Sequence, residues 1–287
     1  MSQALLDLID VLTLERLDDH IFRGKCEDLG LPQVFGGQVM AQSLMAAMQI
    51  VGNERDLHSC HLYFLRAGDV NYPIIYQTEI LREGRSFTSV SVNAIQHDEI
   101  ICRMMSSFQM PEDGLEHQST MPQVDMPEQW VSENDVIRQL ANYLPEKIKK
   151  IFQVERPFDV RVKYPVNPFG QNHYPAEQFL WVKSNGNITI NKNLQKCLLI
   201  YFSDFHCIST MLQCHGKGAL NPDMRIATID HAMWFHRDFD ISDWLLFSID
   251  STNASATRGL SRGQVYTHDG QLVASYQQEG LIRKVLA

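Results

Sequence analysis

The sequence predicts an α+β protein made of two similar units, each a long helix wrapped by an antiparallel sheet. Three observations predict it. Sliding the chain along itself by 170 residues lays residues 58–66 (HSCHLYFLR) on residues 228–236, pairing His61 with His231, Phe64 with Trp234 and Leu65 with Phe235. Each half holds one long segment that is apolar on nearly every side, residues 36–51 and 194–212, the mark of a helix buried inside something. Strand-like runs follow each helix, and the turns His97-Asp98 and His268-Asp269-Gly270 stand 171 residues apart. A repeat of domain length indicates a duplicated domain and not a solenoid. At 287 residues the chain also reaches the size at which single cores stop growing.

Taken in order, residues 2–22 alternate apolar and acidic residues at helical spacing and lack the basic segment of a secretion signal, which predicts a surface amphipathic helix. Residues 21–30 (IFRGKCEDLG) predict a short strand. The first buried helix opens with Gly36-Gly37. Residues 58–66 and 72–109 then read as long antiparallel strands broken at Glu83-Gly84 and His97-Asp98. From Met110 prolines and acids replace periodicity, and a polar helix-like stretch occupies residues 133–150, so residues 113–155 read as a linker. The units are then 1–112 and 156–287. In the second, residues 158–165 and 178–185 read as strands, 194–212 as the second helix, and 227–237 (ATIDHAMWFHR) and 244–284 as the strands that close the sheet. A sheet wrapped around a helix in this way is a hot-dog fold, and two of them make a double hot-dog.

Composition removes several classes of function. The formal charge of −9 repels polyanions, so nucleic acid is not an expected partner and a phosphate-bearing ligand needs a local basic patch. No apolar run approaches the roughly 18 residues of a membrane span. The six cysteines form no CxxC pair and read as buried thiols of a reducing compartment, by default the cytoplasm. The C-terminus is not a Ser-Lys-Leu address. HxH and HExxH spacings are absent, and His231 and His236, five apart on a strand, face opposite ways, so neither metal nor cofactor is expected. Lone strand histidines such as His61 and His231 read as core residues.

Asp204 is the anomaly of the second helix, since a carboxylate on an apolar helix costs several kcal/mol unless partnered. Burial raises its pKa and prepares it to accept a proton. The competing reading places it at a helix edge, satisfied by an amide. His206, two residues on, points elsewhere. Residues 259–263 (GLSRG) match G-x-S-x-G, yet that nucleophile elbow needs a strand, a turn and a helix, with an acid and then a histidine downstream. Here strands flank the motif and His268 precedes Asp269, which favours a glycine-rich bend.

Residues 27–42 (EDLGLPQVFGGQVMAQ), 82–87 (REGRSF), 203–205 (SDF), 227–237 and 274–280 (ASYQQEG) together span nearly the whole chain. On these motifs the sequence resembles the acyl-coenzyme A thioesterase II family of bacterial double-hot-dog enzymes. The resemblance implies hydrolysis of acyl-CoA to fatty acid and CoA, with a water held by an Asp, a Thr and a Gln that fall on Asp204, Thr228 and Gln278. Asp204 would be the general base, and Thr228 and Gln278 would orient the water. Gly36 and Gly37, opening a helix, are candidate amide donors to the oxyanion. At the 170-residue offset Thr228 falls on His58, a position with either a role of its own or a structural hydrogen bond. Arg82, Arg85, Arg258 and Arg262 lie near bends and are candidates for the basic patch that binds CoA, with solvated surface arginines as the plain alternative. The acyl-CoA substrate and a second copy of the chain, as dimer or tetramer, are the expected partners. A hot-dog enoyl-CoA hydratase, which wants a paired His and acid, and a non-catalytic acyl-CoA-binding module are the alternatives.

Overall fold

The computed structural model describes residues 1–141, 155–170, 172–187 and 191–285. Helix α1 (Gln3–Leu12) is capped by Ser2, whose hydroxyl accepts from the Leu5 amide at 3.2 Å, and it buries Leu5, Leu8 and Leu12 along one face. The expected helix over residues 2–22 stops there. Thr13 turns to extended geometry and β1 (Glu15–Asp18) pairs with β2 (Ile21–Gly24), the Arg23 guanidinium meeting Glu15 across the pair. Helix α2 (Gly36–Val51) follows, then β3 (Asp56–Phe64), β4 (Ile74–Glu83), β5 (Phe87–Gln96) and β6 (Glu99–Gln109). The segment after Met110 contributes β7 (Val131–Ser132) and α3 (Glu133–Ala141). The expected helix beyond residue 141 lies outside the described residues.

The second half supplies β8 (Phe158–Val162) and β9 (Glu177–Ser184), then α4 (Lys192–Ser203) and α5 (Cys207–Gln213). The continuous helix expected over 194–212 is therefore interrupted at residues 204–206. There Phe205 packs against Phe35, ring centroids 4.3 Å apart, and against Tyr201 and Phe202. Strands β10 (Met224–Thr228), β11 (Asp230–Phe235), β12 (Leu245–Ser255), β13 (Arg258–Thr267) and β14 (Leu272–Lys284) complete the chain.

Among the described residues the strands form a single antiparallel sheet, in the order β1-β2-β4-β5-β6-β3-β11-β14-β13-β12-β9-β8-β7, with β10 beside β14. Helices α2 and α4 pack on each other against its inner face, inside one apolar core. The two halves meet where β3 pairs with β11, and His61 there stands opposite Ala232. Inner-face pairs match across this junction. Val90–Ser106 corresponds to Ser261–Gln278, and Leu57–Phe108 to Thr228–Gly280. The offset along β3 and β11 is thus 171 residues, which makes the facing pair His61 and Ala232 each other's counterparts.

This corrects the 170-residue alignment. Thr228 corresponds to Leu57, not His58, and His231 corresponds to Cys60, not His61. A one-residue slip exchanges the faces of a strand. A bulge between Leu57 and Ser59 turns His58 outward, where its Nε2 lies 2.8 Å from Ser107 Oγ and its ring meets Phe87 edge-on.

The outer faces of the two halves also differ. Residues 118–130 cross the second half's outer face. Trp130 packs with Trp181, Leu246, Tyr266 and Leu272, and the Trp181 indole donates to the Asp125 carbonyl at 2.9 Å. On the first half Tyr63, Phe87 and Met105 are exposed. Among the described residues no helix is long and apolar enough to cross a membrane.

Candidate functional site

Asp204 ends α4 as its C-cap residue. Interruption of the helix at this residue, together with the anchoring of Phe205 on Phe35, aims the carboxylate at the N-terminus of α2. Thr228 is the last residue of β10, just before the break at Ile229, and Gln278 lies on the inner face of β14, fully buried. The Thr228 hydroxyl donates to Asp204 Oδ1 at 3.0 Å and accepts from Gln278 Nε2 at 3.2 Å. Gln278 Oε1 in turn lies 2.7 Å from His231 Nδ1. Burial pushes the Asp204 carboxyl above the usual carboxylate range. Hydrogen bonds from Thr228, Gln278 and the Gly37 amide pull the other way without cancelling it.

The first half completes the arrangement. A Cβ on Gly36 would stand 2.6 Å from Asp204 Oδ2, and one on Gly37 would run into the Tyr201 carbonyl and the Phe35 ring. Both glycines are therefore fixed by close approach, one to the carboxylate and one to α4. Above them opens a cavity of about 410 Å³ that Gly36, Val39, Phe64 and Arg66 line from one side, and Thr228 and Leu281 from the other. The candidate site thus lies on the seam between the halves, with Asp204, Thr228 and Gln278 from the second and Gly36 and Gly37 from the first. The arrangement joins a buried carboxylate, two uncharged hydrogen-bonding groups, a helix N-terminus and an apolar recess, which suits water-dependent chemistry on a ligand with an apolar portion.

Residues 27–109 match the family described as acyl-CoA thioesterase N-terminal domain, and residues 147–281 the family described as acyl-CoA thioesterase. Acyl-CoA thioesterase 2 of Haemophilus influenzae is 55% identical over 283 residues, 99% of either chain. The chain belongs to the acyl-CoA thioesterase family. An acyl-CoA thioesterase II from Mycobacterium marinum superposes with a TM-score of 0.78 at 32% identity, covering 97% of each chain. A hot-dog-fold protein of unknown function from Alicyclobacillus acidocaldarius gives 0.74 at 18% identity over 98% of this chain and 99% of that one, a likeness of fold.

In this thioesterase Asp204, Thr228, Gln278, Gly36 and Gly37 come together, while the other sequence-derived positions do not join them. His58 lies six residues along β3 from Phe64, about 20 Å away at strand rise. Arg82 and Arg85 flank the β4–β5 turn at that same far end. Arg258 and Arg262 are exposed on the outer face in ion pairs with Glu279 at 2.9 Å and Asp250 at 2.8 Å. The arginine on the cavity wall is Arg66, tied to Glu99 at 3.1 Å and to the Ile100 carbonyl at 2.9 Å. Sequence reasoning missed it because it belongs to no turn signature.

Sequence reasoning read His61 and His231 alike as core residues; His231 is buried as expected, whereas His61 is exposed on the other face of the sheet, its ring edge-on to Trp234. His206 faces Glu133 at 3.5 Å and makes no bond to Asp204. Ser261, the serine of the elbow-like motif, is fully buried in mid-strand, pairs with Gln278 across the ladder and donates to the Cys207 carbonyl at 2.9 Å. Its flanking Gly259 and Gly263 make room for Met211 and for the Tyr276 ring. The motif is packing, and the expected bend is a close approach of β13 to α5 and β14. Among the described residues no group of three or more His, Cys, Asp or Glu side chains is arranged to hold a metal ion.

Proposed function

We propose that this double-hot-dog thioesterase hydrolyses acyl-CoA thioesters to the free acid and CoA, using a water that Asp204 deprotonates and that Thr228 and Gln278 orient. The water oxygen attacks the thioester carbonyl carbon as its proton passes to Asp204. The tetrahedral intermediate then expels the CoA thiolate, which takes a proton back. The observation that carries the reading is the Thr228 hydroxyl, bonded at once to Asp204 and Gln278 on the wall of the seam cavity. Uncharged neighbours give the water direction without competing for its proton, and a positioned base contributes about 10²–10⁴-fold. The Gly36 amide at the start of α2 supplies a donor for the developing oxyanion, the Gly37 amide being directed to Asp204, and the apolar wall of Val39, Phe64 and Leu281 offers a seat to the acyl chain.

The hydratase alternative finds no paired His and acid at the seam cavity, since His231 bonds Gln278 and the His206–Glu133 pair, 3.5 Å apart, is not among the residues lining it. Six free cysteines fit a reducing setting such as the cytoplasm. The exposed Tyr63, Phe87 and Met105 support self-association, which light scattering tests.

The purified protein mixed with palmitoyl-CoA is expected to release free thiol, and Asp204→Ala to lose at least about 10²-fold in kcat. Absence of thiol release, or an undiminished Asp204→Ala rate, defeats the reading. Binding of acyl-CoA without turnover would indicate the binding module instead.

A further inference from the structure

Beyond Asp204, Thr228 and Gln278, the chain of hydrogen bonds continues inward through two residues with no assigned role. His231 is fully buried on β11, its ring stacked on Tyr276 at 5.7 Å between centroids and 12° between planes. Its Nδ1 lies 2.7 Å from Gln278 Oε1, and its Nε2 lies 3.1 Å from the hydroxyl of Ser203, the residue immediately before Asp204. That hydroxyl is also 2.8 Å from the Ile200 carbonyl.

An ionised Asp204 cannot donate, so the Thr228 proton points to it. The Thr228 oxygen must then receive a proton from Gln278, which requires the Nε2 end of the amide to face the site. The Oε1 end, buried on the inner face of β14, is left needing a donor. Nδ1–H of His231 is that donor, which leaves Nε2 of the neutral ring as an acceptor facing the Ser203 hydroxyl, whose single proton is shared between Nε2 and the Ile200 carbonyl.

We propose that His231 is a positioning residue that locks the Gln278 amide with Nε2 toward Thr228 and the attacking water. A flipped amide would put its oxygen against the Thr228 oxygen and draw the Thr228 proton away from Asp204. Burial holds the imidazole neutral, its pKa pushed down to about 4, so the ring carries a single proton for this duty. The counterpart on the first half, where no such amide needs orienting, is the buried Cys60.

The inference rests on the proposed Asp/Thr/Gln reading, and a double-mutant cycle separates the two. His231→Cys, which installs the residue that the matching position already accommodates, is expected to lower kcat for palmitoyl-CoA by about 10–100-fold and to change KM by less than about twofold. On a Gln278→Ala background the same change is expected to alter kcat by less than about twofold, because the ring acts only through the amide. His231→Asn, whose amide can donate from nearly the place of Nδ1, is expected to recover kcat to within about fivefold of the parent. Ser203→Ala repeats the cycle with a smaller loss of about fivefold, again absent without Gln278, and melting curves confirm that each variant is folded.

Wild-type kcat in His231→Cys, equal fold losses on both backgrounds, or a His231→Asn variant as slow as His231→Cys would each overturn the positioning role and leave the Asp/Thr/Gln reading standing. A Gln278→Ala variant at the parent rate would overturn both.

Discussion

The two halves of this thioesterase place different side chains at matching points of one ladder. Thr228 stands where the first half has Leu57, Gln278 where it has Ser106, and His231 where it has Cys60. Helix α2 contains no acid at all, whereas α4 ends on Asp204. Conversely, the first half gives its helix N-terminus, Gly36-Gly37, to the second half's carboxylate. On the proposed mechanism one unit is the chemical partner and the other the frame that shapes the space around it. Backbone repetition therefore says little about which copy reacts, because the decision rests on a few inner-face side chains.

The contrast can be broken first at Asp204. Asp204→Asn is expected to cost about 10²–10⁴-fold in kcat by thiol release, and to raise Tm by a few degrees at pH 8. The sign follows from burial. Asp204 holds its proton more tightly folded than unfolded, so raising the pH from the unfolded carboxylate value through the raised folded one costs stability, and the neutral amide removes that cost. Next in size, Gly36→Ala changes only the frame, yet its Cβ would crowd Asp204 Oδ2. A loss of about 10²-fold in kcat is expected, since misplacement by about 1 Å costs that much, and a parent-like rate would show that the first half does not shape the site.

A smaller effect is expected from Thr228→Val. The Thr228 hydroxyl favours the charged carboxylate, so its loss moves the acid limb of the kcat–pH profile to higher pH, along with about a tenfold loss in rate. The limb should stay put in Leu57→Thr, which copies the residue into the first half. That variant is expected to gain no activity in an Asp204→Ala background, and to lose about 2–4 kcal/mol in denaturant unfolding by placing a hydroxyl in an apolar site. Last, His58→Ala is expected to leave kcat within about twofold, since its bond to Ser107 lies on the outer face.

Much of this was legible in sequence because it is periodic. The buried helices, the hairpin strands and the His97-Asp98 turn, whose residues take φ of 50° and 62°, follow from patterning and turn chemistry. Identity of the site residues came from resemblance, not from spacing. What stayed hidden depends on tertiary contact. The interruption of the second helix at Asp204 arises from Phe205 packing on Phe35, a residue about 170 positions away. The face of His58 is decided by a bulge that composition does not announce. The turn at Ala256-Thr257 reverses the chain through positive φ without a glycine or asparagine to mark it.

The junction of β3 with β11 has one further consequence. Where two separate subunits share an active site, its occupancy falls with dilution as the subunits part. Here Gly36 and Phe64 on one wall of the cleft and Thr228 and Leu281 on the other belong to one covalent chain, so bringing these walls together is a matter of folding and not of an encounter between subunits.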